Sequence, residues 1–149
     1  MTHRRLTARS VLATDPVWRH LKQVRDTLLR IHKMMLDAER LSYEQLHGPI
    51  QTNNQLLTLL MEDSWFAWLR EISKFVVEMD EVIMGREVLT PTIANQFLDR
   101  TQALMVPKSD GSHFEQQYYR AVHEYVEVTL AHAELSKHLE IRHPEQSET

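Results

Sequence analysis

"RDTLLRIHKMMLDAER", Arg25 to Arg40, is the stretch whose reading decides the fold. In and around it, Leu21, Val24, Leu28, Ile31 and Met35 recur at alternating spacings of three and four. That period places them on one face of an α-helix. Leu29, Leu36 and Tyr43 widen the stripe on one side, and Met34 and Leu41 on the other. The opposite side carries Arg19, Gln23, Asp26, Arg30, Lys33, Asp37 and Arg40, a solvated face with opposite charges four residues apart. His32 and Glu39 fall between the main stripe and Leu29/Leu36, so both are expected to point inward. Arg25 lies nearer the edge, where its stem is buried and its head wet.

Outward from this stretch, punctuation divides the chain. Glycine occurs only at Gly48, Gly85 and Gly111, each where a helix is expected to end in the left-handed conformation. Asp15-Pro16 and Thr90-Pro91 each place a capping side chain before a proline at the first helical position. Ser112 with Glu115 reads as a capping box. These signals predict helices over 16–47, 51–84, 91–105 and 113–141, with Glu62-Asp63-Ser64 able to kink or split the second. Short connections favour antiparallel neighbours. The expectation is an all-α, antiparallel, up-down-up-down four-helix bundle whose short third helix leaves one groove partly open. Residues 15–141 form the single domain, between a flexible basic arm over 1–14 and a flexible tail over 142–149.

Composition excludes several functions. Without cysteine, thiolate catalysis, disulfides and thiolate metal sites are ruled out. Apolar residues at 42% and charged residues at 26% suit a globular domain. No apolar run approaches the ~20 residues that span a bilayer. The expectation is therefore a soluble, cytoplasmic protein with no membrane association. Its net charge of −4 offers nucleic acid no general attraction. The arm differs: residues 1–14 carry Arg4, Arg5 and Arg9 and no acid. It lacks the apolar segment of a secretory signal. It reads as a solvated tail, with a polyanion-binding arm or an organelle presequence as alternatives.

The other long helices repeat the pattern of the first. Trp65, Leu69, Ile72, Val76 and Ile83 make the core stripe of the second, with Glu62 and Asp80 on the same side. Phe114, Tyr118, Val122, Tyr125, Val128, Leu135 and Leu139 face inward on the fourth, with His132 in their midst. Level antiparallel packing sets position 32 opposite about 66 and 128, which lets His32, Glu39, Glu62 and His132 converge, while Asp80 falls nearer Trp18, His20 and Arg25. Two His and two Glu offer the nitrogen and oxygen ligands that zinc, iron or manganese accept. The alternative is a set of register-setting polar pairs, because a buried carboxylate needs a cation, a metal or a proton. Glu44-x-x-His47 and Glu140-x-x-His143 match half of a di-iron motif each, but fall at opposite ends of the bundle and cannot share a site. His3, His20, His113, His123, His138 and His143 fall at termini or polar edges and are expected to be exposed.

"SWFAWLR", Ser64 to Arg70, broadens the apolar arc of the second helix. Trp68, with Leu57, Phe75 and Val82, forms an edge wider than one core needs, read either as a helix–helix interface or as a surface covered by the third helix. No phosphate-cradling glycine loop or nucleophile elbow is present. The sequence thus points to a non-catalytic interaction, regulatory or scaffold module without a cofactor, acting through an apolar helix face as a homodimer or with a protein partner. The alternative is a metal-binding bundle, or a metal-dependent enzyme, using a divalent transition metal at His32, Glu39, Glu62 and His132.

Overall fold

A computed structural model describes residues 15–85 and 88–145. The basic arm with Arg4, Arg5 and Arg9 lies outside them. All secondary structure among the described residues is helical. The expected four helices are instead six, because two of the long segments are broken.

Helix α1, Pro16–His47, begins where Val17 N donates to the Asp15 side chain at 2.9 Å. It ends at Gly48, whose φ of 84° any other residue would find strained. Gly48 is the only described glycine in that conformation, so the expectation for Gly85 and Gly111 is corrected. Over its 32 residues α1 rises about 48 Å.

The second segment divides into α2 (Asn53–Glu62), a 3-10 stretch (Ser64–Leu69) and α3 (Arg70–Ile83). Asp63 is the cause. It takes an extended conformation and its side chain accepts from Trp65 N at 2.8 Å, starting a new helix one residue after the last one stops. Arg70 Nη1 donates to the Leu60 carbonyl at 3.0 Å, an acceptor that the end of α2 leaves open, and to the Asp63 carbonyl at 3.3 Å. Helix α4, Pro91–Leu104, starts at the Thr90 cap, and α5, His113–Glu124, at the full Ser112/Glu115 capping box.

The fourth segment breaks at Tyr125, which is extended between α5 and α6, Val126–Glu140. No glycine or proline marks this break. The residues that follow include the β-branched Val126, Val128 and Thr129, and the Thr129 hydroxyl donates to the Val122 carbonyl that the break leaves free.

Helix α1 lies at the centre, packed on α6, α3, α4 and the 3-10 stretch. Its neighbours α3 and α6 run antiparallel to it. Trp18 Nε1 donates to the Ile83 carbonyl, Arg25 pairs with Asp80, and His32 meets Ser73, so α3 descends as α1 rises. Arg30 pairs with Glu134 on α6 in the same sense. Leu21, Val24, Leu28, Ile31 and Met35 are all fully buried, against partners such as Ile72, Met79, Leu98 and Leu135. At about 25 cal/mol per Å² of apolar surface removed from water, this stripe contributes substantially to the cohesion of the core. No described helix is long and apolar enough to cross a membrane.

Candidate interaction surface

The structure does not gather the four candidate metal ligands. His32 is hydrogen-bonded to Ser73 Oγ at 3.0 Å, and His132 Nδ1 to the Tyr118 hydroxyl at 2.6 Å. Burial holds both imidazoles below their ordinary value, and pushes Tyr118 above its own. Both rings are thus neutral partners of hydroxyl groups. Glu39 faces a different group, Trp65, Arg120 and Glu124. Burial raises its pKa, Trp65 and Arg120 partly offset this, and Glu124 adds to it. Glu62 is exposed at the end of α2. Among the described residues no group of three or more His, Asp or Glu is placed to hold a metal ion.

The reason lies in the register. His32 faces Ser73 rather than position 66, about two helical turns further along. Arg25 and Asp80, placed near one another by the pattern, do meet: the Arg25 Nε and Nη2 atoms donate to the two carboxylate oxygens at 2.8 and 3.2 Å.

The residues of the proposed apolar edge also part company. Trp68 is 5% exposed and packs on Phe114, with ring centroids 5.9 Å apart. Phe75 is buried against Phe97, and Val82 is half-buried against the core. Ser64–Leu69 winds as a 3-10 helix with about three residues per turn, so a reading at 3.6 residues per turn misplaces Trp68. Phe114 and its own helix cover it. Leu57 alone of the four stands well exposed, at 53%.

Leu57 belongs to a surface that sequence reasoning missed. Helix α2 reads "NNQLLTLLME"; half of it is apolar, yet none of its residues is buried. Leu59 and Leu60 reach the edge of the core, while Leu57 and Met61, one turn apart, turn outward. Between α2 and the end of α1 runs a cleft of about 470 Å³, lined by Tyr43, His47, Ile50, Asn54, Thr58 and Leu59 among others. The Tyr43 and His47 rings stack at 4.2 Å, and Trp65 stands edge-on to both at 5.8 and 5.9 Å. The Trp65 indole N–H is buried and, apart from its approach to the Glu39 carboxylate, has no hydrogen-bond partner. Leu46, beside His47, is also exposed.

A signal for this surface was available. From Gln45 to Met61 the chain contains no Lys, Arg, Asp or Glu, although such residues make up 26% of the whole. An uncharged run ending in an apolar helix with no buried residue is surface of a kind soluble faces seldom show.

Compared with models of protein families, with curated proteins and with solved structures, the chain matches none. What the fold defines is an all-helical chain, organised around one long central helix and carrying a loosely seated apolar helix at one end.

Proposed function

We propose that this protein is a non-catalytic interaction module whose apolar helix face, centred on α2 and the end of α1, receives a second copy of the same chain. The observation that carries the reading is α2 itself: five apolar residues in ten, and not one of them buried. A helix of this length is marginal in water and draws its stability from a covered face. Here the 3-10 stretch is its main neighbour, so one side of the helix remains free to be covered by something else.

Charge favours a second copy as that something. The chain has a net charge of −4, so two copies repel over most of their surfaces. A two-fold contact brings each patch against itself, where any charge would meet its like. Gln45 to Met61 is free of fixed charge and avoids that penalty. Asn54, Gln55 and Thr58 supply a polar rim that pairs with itself as readily as with water.

Sedimentation equilibrium of the full chain tests this. The expected result is a dimer in the micromolar range that becomes a monomer in Leu57→Glu and in Met61→Glu, each retaining its helical circular dichroism. Both side chains are exposed, so neither change disturbs the core. A wild-type protein that stays monomeric throughout that range, or a dimer indifferent to both substitutions, overturns the reading.

A further inference from the structure

At the end of the protein remote from α2, the chain leaves α6 at Ile141 and crosses to α4. This short segment is held by a dense set of bonds. Asn95 grips the backbone of His143 twice: its Nδ2 donates to the His143 carbonyl at 2.9 Å, and its Oδ1 accepts from the His143 N–H at 3.1 Å. Arg142 donates to Asp99 at 2.6 Å and to Gln102 at 3.1 Å. Finally His143 Nε2 lies 2.7 Å from Nδ1 of His20, a residue only 6% exposed.

The protons in this last contact follow from elementary chemistry. His20 Nε2 lies 2.8 Å from the His138 carbonyl, which can only accept, so Nε2 carries a proton. Neutral His20 therefore has a bare Nδ1, and His143 Nε2 donates to it. One additional proton is tolerated, since an imidazolium and a neutral imidazole still share a single hydrogen between the facing nitrogens. A second is not. With both rings charged, two N–H groups and two positive charges oppose each other at 2.7 Å.

The surroundings supply no relief. The His138 ring stands 6.2 Å from His20, and Arg142 adds a fixed positive charge. The carboxylates in the neighbourhood are already engaged. Asp99 accepts from Arg142, Glu134 accepts from Arg30 and faces His138 at 3.8 Å, and Glu145 accepts from Asn95.

We propose that residues 141–145 are a proton-operated latch, closed while the His20–His143 pair carries at most one positive charge and released when both rings are protonated. Release uncovers His20 and the first turns of α4. The direction of the pH effect follows from His20. Burial, then the nearby His143, His138 and Arg142, hold it below the ordinary value of 6.5, against the opposing hydrogen bond to the His138 carbonyl. The unfolded chain thus binds the proton first. The latch's contribution to stability is complete above pH 6.5 and is lost as the pH falls below it.

Amide hydrogen exchange resolved by NMR, corrected for intrinsic rates, is the test. Between about pH 7.5 and about pH 5, where histidines are the main groups that change charge, the His143 N–H should lose at least about tenfold in protection. Amides in the middle of α1 and α3, where His32 has its own titration, should lose less, and equally in wild type and variants. In His20→Gln the amide can donate to the His138 carbonyl and accept from His143, but cannot take a proton, so protection should stay flat across the same range. His143→Asn keeps the Asn95 grip on the backbone and removes the second charge but not the burial of His20, so its acid loss should be clearly smaller than that of the wild type; it serves if the first variant fails to fold. Protection that persists in the wild type at the acid end overturns the latch, as does an identical acid loss in the folded variants.

Discussion

Trp68→Ala separates a residue that holds the fold together from one that meets a partner. At 5% exposure, Trp68 has almost its entire side chain inside, in contact with Phe114 and beside the fully buried Phe66 and Leu69. Truncating a buried Trp to Ala removes the transfer free energy of the ring and leaves a cavity, together about 3–5 kcal/mol. The tilted ring pair with Phe114 adds about 0.5–1.5 kcal/mol beyond its area. Against a total stability of about 5–15 kcal/mol for a domain, this is a large share. The melting temperature should fall by roughly 6–20 °C, at about 2–4 °C per kcal/mol for a chain of this length. Urea titration followed by circular dichroism reads the stability, and sedimentation of the still-folded variant reads its association state. Expected are a loss of about 3 kcal/mol or more and an association constant unchanged at low urea. A variant within about 1 kcal/mol of wild type that nevertheless loses its dimer would refute the reasoning, and would return Trp68 to the surface.

Two further changes test how the helices are joined. Asp63→Ala removes the cap on Trp65 N and should cost about 1 kcal/mol in urea denaturation, with α2 exchanging its amides faster than α3; equal exchange in both helices would contradict the role assigned to Asp63. A double-mutant cycle of Arg25→Met and Asp80→Asn should give a coupling of about 1 kcal/mol, since the pair is two-pronged but about one-third exposed at each partner; a coupling indistinguishable from zero would make it a surface pair of no consequence.

The fold was legible where a local signal carries it. Asp15, Thr90 and Ser112 are each followed by a backbone N–H that needs an acceptor, and each side chain supplies one. The stripe of α1 was legible because one uninterrupted helix preserves its period over its whole length. The break at Asp63 was visible as a cap in mid-segment. The break at Tyr125 was not, because it rests on the tertiary setting and on a Thr129 bond that no pattern announces. These two breaks also explain why the candidate site dissolved: aligning unbroken helices end to end placed His32 and Glu62 within reach of one another. His20 and His143, expected at exposed edges, are instead partners across 123 residues. Nothing in the periodicity of either neighbourhood could have joined them.

The central position of α1 has a consequence during synthesis. Its partner Glu134, on the helix that covers so much of its length, lies 104 residues beyond Arg30. At about 5–20 residues per second, the ribosome takes roughly 5–20 s to deliver it. Throughout that interval the fully buried stripe of α1 is complete but only partly clothed, with α3 and α4 as interim cover. Nascent chains stalled before α6 should therefore be the species that chaperones hold longest.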